Sequence, residues 1–189
     1  MRIIAGKFKS HSLQAPKGDA TRPTSDRVRQ ALFNVLEHGI GFDFEGARVL
    51  DLFAGTGALG LEALSRGAKF CCFIDEASAA RAAIRKNVET LGLTGATKIW
   101  RRDATRLGPV GTLAPFDLIF LDPPYGKDLG EKALLSAYDG GWLKPDAIAV
   151  LEERAGTEIP LPASFSVLDR RRHGDTEVSV LGQNSTDPT

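Results

Sequence analysis

The chain has 189 residues, of which 42% are hydrophobic and 25% are charged, and its formal net charge is zero. This composition predicts one soluble globular domain, and it excludes a global charge that would attract nucleic acid or a membrane surface. No apolar run approaches the length of a membrane span, and Lys7 interrupts the apolar N-terminus, so we expect neither a membrane helix nor a signal peptide. The adjacent Cys71 and Cys72 lie in an apolar run, which predicts strand filler in a reducing cytoplasm and neither a disulfide nor a metal site.

The charges are unevenly distributed along the chain. The first 39 residues carry seven Lys and Arg residues against three Asp and Glu residues. A second basic cluster, Arg170 to Arg172 with His173, lies near the C-terminus. Such clusters are more often solvated faces than binding sites, so charge alone assigns no partner.

The hydrophobic pattern predicts an N-terminal hairpin, a helix and then alternating strands and helices. Residues 2–14 form the hairpin, and a helix begins at Ser25 and is ended by Gly39 and Gly41. The apolar stripe of this helix consists of Val28, Ala31, Leu32, Val35 and Leu36. The following elements are a strand over ARVLDLF, a helix over GALGLEALSRG, a strand over FCCFID, a helix over ASAARAAIRKNVETLG, strands over TKIWRRD and FDLIFLD, a helix over LGEKALLSAYDGG, a strand over AIAVLEE, and a hairpin of SFSVLDRRR with TEVSVLG across His173, Gly174 and Asp175.

Strands that alternate with helices predict right-handed βαβ units, and hence an α/β fold with a doubly wound sheet. We expect seven strands that are mostly parallel, with the closing hairpin as an antiparallel edge. The predicted regions are an N-terminal extension over residues 1–41, a sheet domain over 42–182 and a disordered tail over 183–189. Ligands of such sheets bind beyond the carboxyl ends of the strands, where each candidate site described next is placed.

A glycine loop follows the first strand of the sheet. The segment DLFAGTGALG contains Gly55, Gly57 and Gly60 at the spacing of a nucleotide-binding fingerprint, between a strand and a helix. Glycine permits a tight turn and leaves no Cβ between the backbone and a ligand. The spacing alone predicts only a nucleotide-like ligand.

Three carboxylates lie at strand ends, and Asp51 is the one that distinguishes between ligands, because the ribose role of Asp75 fits NAD and S-adenosylmethionine equally. Asp51 would oppose the pyrophosphate of a dinucleotide, but it suits the ammonium and sulfonium groups of S-adenosylmethionine; the alternative is that it only caps the turn. Asp75 is placed to accept hydrogen bonds from both ribose hydroxyls, a role for which its neighbour Glu76 competes. Asp103, beside the Ala104 amide, could accept from an adenine amino group or be a solvated turn acid.

The fourth strand runs into the turn Asp122-Pro123-Pro124-Tyr125. The Asp122 carboxylate and the Pro123 carbonyl can accept both N–H groups of an amino nitrogen and aim its lone pair at a methyl donor, and proline fixes these acceptors in advance. In-line transfer requires the reacting atoms to lie roughly 3 to 3.5 Å apart. Tyr125 offers a ring for stacking a flipped base, worth about 1–3 kcal/mol. The alternative is a strand-ending turn with a packed tyrosine.

Six collinear segments join these motifs: RIIAGKFKSHSL, RPTSDRVRQALFNVL, DLFAGTGALGLEALSRGA, FIDEASAA, DPPY and HGDTEVSVL. They resemble the RsmD-type methyltransferases of bacteria, which act on a guanine N2 of the small-subunit (16S) ribosomal RNA. The resemblance implies a class I, Rossmann-like methyltransferase fold and S-adenosylmethionine as cofactor, which leaves as S-adenosylhomocysteine. It also implies guanine 966 as the target.

The resemblance further implies roles for individual residues. The cofactor is bound by Asp51, Phe53, Ala54, Gly55, Thr56, Gly57, Asp75, Asp103, Ala104 and Asp122. The catalytic residues that hold the base are Asp122, Pro123, Pro124 and Tyr125. RNA is contacted by Arg2, Lys7, Arg22, Thr24, Arg27 and Arg29, over the entrance to the cofactor site. Relatives often carry an acid two residues after the ribose acid, where this chain has Ala77. The expected partner is small-subunit ribosomal RNA in an assembled or partly assembled particle, met by a cytoplasmic monomer.

Three other functions compete with this one. A protein-glutamine N-methyltransferase could hold an amide nitrogen in a similar turn, although that class has Asn-Pro-Pro-Tyr and a larger N-terminal domain. A nicotinamide-dependent oxidoreductase would use the glycine loop but leave Asp51 and the DPPY turn without a role. A non-catalytic RNA-binding module would not need paired acceptors after a strand.

Overall fold

The computed structural model describes residues 1–18 and 24–185. The strands are β1 (Arg48–Leu52), β2 (Phe70–Ile74), β3 (Thr97–Trp100), β4 (Phe116–Leu121), β5 (Leu143–Arg154), β6 (Phe165–His173) and β7 (Thr176–Gln183). The α-helices are α1 (Asp26–Asn34), α2 (Ala58–Ser65), α3 (Ser78–Thr90) and α4 (Leu129–Asp139). The strands form one sheet in the order β3-β2-β1-β4-β5-β7-β6, and β7 is antiparallel to both of its neighbours. The predicted α/β fold, with a mostly parallel seven-stranded sheet and an antiparallel edge hairpin, is confirmed.

The chain forms two compact units, residues 1–103 and 104–189. The first unit contains β1 to β3 and α1 to α3, and the second contains β4 to β7 and α4. The division predicted after residue 41 stays a prediction. No helix in the described part of the chain is long and apolar enough to cross a membrane.

The N-terminal segment forms the predicted hairpin, closed by an antiparallel bridge between Arg2 and Ser12. Helix α1 begins after Ser25, whose hydroxyl accepts a hydrogen bond from the Val28 amide at 3.2 Å and caps the first turn. Of the two glycines predicted to end the helix, Gly39 lies within it and Gly41 follows its last residue. The helix continues as a π-helical segment over Val35–Ile40 and ends at Gly41, which adopts a left-handed conformation.

The central strands of the first unit are buried apart from their first residues. β1 and β2 pair in parallel, and each is buried from its second residue onward. Parallel strands that are covered on both faces have continuous apolar sequences, which explains FCCFI. Cys71 and Cys72 are buried free thiols, and burial raises the pKa of Cys72 to about 12 and that of Cys71 well above its ordinary value, so both thiols are unreactive filler.

The second unit ends in the predicted hairpin. β6 and β7 pair across Gly174 and Asp175, and β7 pairs in turn with β5. Gln183, with which the predicted tail begins, is the last residue of β7. The amide of Asn184 donates a hydrogen bond to the Ser164 carbonyl at 2.7 Å, while residues 186–189 lie outside the described part of the chain.

Candidate active site

The glycine loop after β1 has a strained, tightly bonded backbone. Phe53, Gly55 and Gly57 all have positive φ angles, of 55°, 59° and 78°. The Ala54 amide donates to the Ile74 carbonyl at 3.2 Å, and the Gly57 amide donates to the Ala54 carbonyl at 2.8 Å. A non-glycine residue such as Phe53 pays about 1–3 kcal/mol for this conformation, and such strain is concentrated at binding and catalytic loops.

The three glycines of the fingerprint have different physical roles. A Cβ at Gly55 would meet nothing nearer than the Phe53 carbonyl oxygen at 4.0 Å, so this position leaves room for a ligand. A Cβ at Gly57 would lie 3.2 Å from the Phe73 ring. At Gly60 it would lie 2.5 Å from that ring and 2.6 Å from Cys71 Sγ, so Gly60 is required for close packing of α2 on β2.

Asp51 is buried, and its carboxylate caps the helix that follows the loop. Its Oδ2 accepts a hydrogen bond from the Gly60 amide, in the first turn of α2, at 3.0 Å. Burial raises the pKa of Asp51 to about 8, the Gly60 hydrogen bond opposes this shift, and the charge on Asp75 adds to it. The capping role considered as the alternative is therefore present in the structure; direct contact with a cofactor stays a prediction.

Asp75 follows β2 directly and joins the loop to helix α3. Its Oδ2 accepts from the Gly55 amide and its Oδ1 from the Ala77 amide, both at 2.9 Å. A carboxylate has about four acceptor positions, so two remain for the hydroxyls of a ribose. The neighbouring Glu76 is exposed, and its carbonyl accepts a hydrogen bond from Arg81 at 2.7 Å.

Thr56 connects the loop to two other parts of the first unit. Its hydroxyl accepts from the Ala58 amide at 3.2 Å and lies 3.6 Å from Met1 Sδ. Its carbonyl accepts from the buried Asn87 side chain at 3.0 Å. The same amide group of Asn87 donates to the Gln14 carbonyl, and its oxygen accepts from the Gln14 amide. Asn87 therefore fixes the loop to the N-terminal segment.

The predicted adenine-binding residues lie beyond the end of β3. The strand ends at Trp100, three residues earlier than predicted, and Asp103 follows it in a half-buried position. Ala104 is buried and begins a short 3₁₀ turn that ends at Arg106. Their contacts with adenine stay predictions.

In the second unit, the DPPY turn begins where β4 ends at Leu121. Asp122 is half-buried, Pro123 is buried and Pro124 is exposed. The Tyr125 hydroxyl lies 3.1 Å from Glu152 Oε1 and 2.8 Å from Thr176 Oγ1. The Gly126 amide donates to Glu153 Oε1 at 3.4 Å, so strands β5 and β7 hold the turn.

Comparison with known proteins agrees with this arrangement of motifs. The model of the family described as Conserved hypothetical protein 95, the RsmD family, matches residues 1–182. YlbH of Bacillus subtilis (strain 168) is 41% identical over 95% of this chain and 97% of its own length. The chain belongs to the RsmD family. The Escherichia coli (strain K12) member named Ribosomal RNA small subunit methyltransferase D is 37% identical to it over 88% of this chain and 82% of its own length.

A solved structure of a similar protein has the same fold. The protein yhhF from Escherichia coli superposes with a TM-score of 0.82 at 33% identity and covers 97% of both chains. The predicted class I, Rossmann-like methyltransferase fold is confirmed by this match.

The residues predicted to contact RNA, five basic residues and Thr24, differ in their exposure in this RsmD protein. Arg2 and Arg27 are exposed, as is Lys7, and Arg22 lies outside the described residues. Thr24 is half-buried. The prediction for Arg29 requires correction because its side chain is fully buried.

The Arg29 guanidinium binds the protein instead of facing solvent. Its Nη2 donates to the Arg2 carbonyl at 2.9 Å and to the Asp26 carboxylate, and its Nη1 lies 3.9 Å from Glu62 Oε2. Its Nε and Nη1 have no hydrogen-bond partner within the described chain. Arg29 is therefore an internal anchor for the N-terminal segment, and it presents no charge to RNA.

Glu62 and Asn87 were missed in the sequence analysis. Glu62 is fully buried, and its carboxylate accepts from the amides of Ile4 and Ala5 at 2.9 and 3.1 Å. It is the one charged residue of ALGLEALS, and an isolated acid in an apolar helix is a signal for a specific partner. Asn87 lies at the helical spacing of the buried residues Ile84 and Val88, where a polar side chain also requires partners.

Proposed function

We propose that this protein methylates the exocyclic N2 of a guanine in small-subunit ribosomal RNA, with S-adenosylmethionine as the methyl donor. The observation that carries the proposal is that this member of the RsmD family has both a glycine loop and a DPPY turn. Asp75 accepts a hydrogen bond from the glycine loop, and Glu152 and Thr176 form hydrogen bonds with the tyrosine of the turn. A relative of this chain is named as a methyltransferase of small-subunit ribosomal RNA, which supports the choice of substrate. Guanine 966 is the specific target that we propose.

The first turn of α2 favours S-adenosylmethionine over a dinucleotide. A pyrophosphate would need the free amides of this helix N-terminus. The Gly60 amide is already bonded to Asp51 and the Ala58 amide to Thr56, and the Asp51 carboxyl is close by. S-adenosylmethionine carries no phosphate, and it supplies a methyl group bound to a positively charged sulfur. The open space beside Gly55 and the two acceptor positions that remain on Asp75 for a ribose support this choice.

The protein's contribution to the reaction is to hold the amino group in a reactive geometry. The Asp122 carboxylate and the Pro123 carbonyl each accept one N–H of the guanine amino group. This reduces the delocalisation of the nitrogen lone pair into the ring and directs it toward the methyl donor. Because proline fixes the backbone, the two acceptors need little reorganisation when the base arrives. The ring of Tyr125 stacks on the base and keeps it out of the helix.

Tyr125 is not the base that accepts the released proton. Burial raises the pKa of its phenol to about 12, which the Thr176 hydrogen bond partly opposes and the Glu152 charge reinforces. The phenol is therefore protonated at neutral pH. Asp122 can accept the proton that the methylated amino group releases.

The first experiment tests the ligand. Calorimetry of the purified protein should show binding of S-adenosylmethionine and no binding of NAD. Asp75→Ala should weaken binding of S-adenosylmethionine, because it removes the ribose acceptor and the brace on Gly55. Binding of NAD in preference to S-adenosylmethionine would instead favour the oxidoreductase.

The second experiment tests the chemistry on small-subunit particles and on free RNA, with mass mapping of the product. Asp122→Ala should leave the cofactor affinity largely intact, because it removes one of ten implied cofactor residues, and it should abolish methyl transfer. Asp122→Asn should retain part of the activity, because its amide oxygen still accepts a hydrogen bond. Asp117→Asn lies in β4, the strand that leads into the turn, and its side chain is paired with Lys144 at 2.8 Å; it is the matched control and should remain active. Full activity in Asp122→Ala would refute the mechanism.

The natural target can be identified in cells. Ribosomal RNA from a strain that lacks the protein should lose one N2-methylguanine, and expression of the wild-type chain should restore it. We propose a cytoplasmic monomer that acts on an assembled or partly assembled particle, because the exposed basic residues are few and would hold naked RNA weakly at physiological salt.

A further inference from the structure

The phenol of Tyr125 is held by two side chains that the proposed mechanism does not use. Glu152 lies in β5 and Thr176 is the first residue of β7, 27 and 51 residues away along the chain. Both bind the same phenolic oxygen, at 3.1 and 2.8 Å. Thr176 is buried, so its hydroxyl requires such a partner.

The direction of these hydrogen bonds follows from the groups present. A carboxylate only accepts hydrogen bonds, and a phenol has one proton to donate. Tyr125 must therefore donate to Glu152, and the Thr176 hydroxyl must donate to the phenolic oxygen. The two hydrogen bonds fix the position of the phenolic oxygen. They thereby restrict the orientation of the ring plane.

The register of the sheet explains why these two side chains converge. Arg154 is paired with Thr176 and Glu152 with Val178 across the antiparallel strands. Since successive side chains alternate between faces, Glu152 and Thr176 lie on one face as diagonal neighbours. The turn that leads into β7 belongs to HGDTEVSVL, a segment of the RsmD resemblance for which the sequence analysis found no function.

We propose that Glu152 and Thr176 are positioning residues that fix the ring of Tyr125 for stacking of the target base. This inference rests on the proposed function. The C-terminal hairpin thereby contributes to substrate alignment, in addition to closing the edge of the sheet.

The test measures methyl transfer by variants of the intact protein on small-subunit particles. Thr176→Val and Tyr125→Phe should each lower kcat about tenfold, the effect of one well-placed hydrogen bond, and change KM for the particle less than twofold. Glu152→Gln should have a smaller effect, because its amide oxygen can still accept from the phenol. Thr176→Ser keeps the hydroxyl and should restore most of the activity lost in Thr176→Val.

A double-mutant cycle separates positioning from general damage to the fold. If Thr176 acts through the phenol, Thr176→Val should have no further effect in a Tyr125→Phe background. Independent, multiplying effects would overturn the proposal, as would an unchanged kcat in Thr176→Val. Glu177→Gln is the matched control, because Glu177 is also in β7 but pairs with Arg170, and it should keep the wild-type kcat.

An NMR measurement on the protein without substrate tests the positioning of Tyr125 independently of the proposed methyl transfer. The chain has two tyrosines, so Tyr138→Phe leaves Tyr125 as the single tyrosine in an NMR spectrum of protein with labelled tyrosine rings. The Tyr125 Cζ resonance should shift on Thr176→Val and stay unchanged on Glu177→Gln. An unchanged Tyr125 Cζ resonance in Thr176→Val would overturn the proposal that Thr176 fixes the Tyr125 ring. An inactive wild-type protein with the predicted shift would overturn the proposed function alone.

Discussion

Replacement of Glu62 by glutamine should destabilise the protein strongly, although the two side chains have nearly the same size. Each carboxylate oxygen faces donors: Oε1 accepts from Ala5 and Arg66, while Oε2 accepts from Ile4 and lies 3.9 Å from Arg29. The amide nitrogen of a glutamine would therefore oppose a donor in either orientation. The variant loses at least one hydrogen bond to a charged group, worth about 1.5–3 kcal/mol, and leaves a buried cation less compensated.

Together these losses predict a fall of about 3–5 kcal/mol in the free energy of unfolding. In a chain of this length each kcal/mol lowers Tm by about 2–4 °C, so the expected loss in Tm is about 6–20 °C. Urea unfolding followed by circular dichroism would measure the change in the free energy of unfolding, and thermal unfolding would measure the change in Tm. The matched control is Glu37→Gln, which removes a partner of Arg66 at 3.1 Å that is partly exposed, and it should cost less than about 1 kcal/mol. A loss below about 1 kcal/mol in Glu62→Gln would refute the reasoning.

Three further variants test other parts of the first unit. Gly60→Ala should cost about 1–3 kcal/mol in urea unfolding, because its Cβ would lie 2.5 Å from the Phe73 ring. Asn87→Asp cannot donate to the Thr56 carbonyl, so it should lower both stability and the calorimetric affinity for S-adenosylmethionine. Since the pKa of Asp51 rises from 3.8 to about 8 on folding, its contribution to stability is largest below pH 4 and is lost as the pH rises to 8. Asp51→Asn should therefore flatten the dependence of unfolding free energy on pH over this range; an unchanged slope would contradict it.

The strands β1, β2 and β4 were predictable because they are short and mostly apolar runs. FDLIFLD illustrates this: proline cannot continue the ladder, and β4 ends at Leu121, one residue before the predicted boundary. The order of motifs along the chain also predicted the family. The ends of strands were predicted less well where the following residues are also compatible with an extended backbone. The predicted third strand ran to Asp103, whereas β3 ends at Trp100.

The contacts of buried charges were not predictable from local patterns. The sequence analysis placed the apolar stripe of α1 on Val28 and its helical neighbours and left Arg29 for RNA. In the structure the buried positions are Arg29, Leu32 and Phe33, followed by Leu36, so the stripe is rotated by one residue. A charge pattern favours placing arginine on the solvated face. The burial of Arg29 depends on Asp26 in its own helix and on two groups far from it in the sequence, the Arg2 carbonyl and the Glu62 carboxylate.

The hydrogen bonds of the glycine loop also explain how the site can exist before a ligand arrives. Gly55 is held by Asp75, Gly60 by Asp51 and the Thr56 carbonyl by Asn87, so three separate elements fix the loop backbone. These bonds compensate for the positive φ of Phe53, a conformation that would otherwise relax. A loop fixed in this way loses little conformational entropy on binding, so more of the contact energy is available for affinity. Asn87 also binds Gln14, so one buried side chain connects the backbone of the glycine loop to the N-terminal segment.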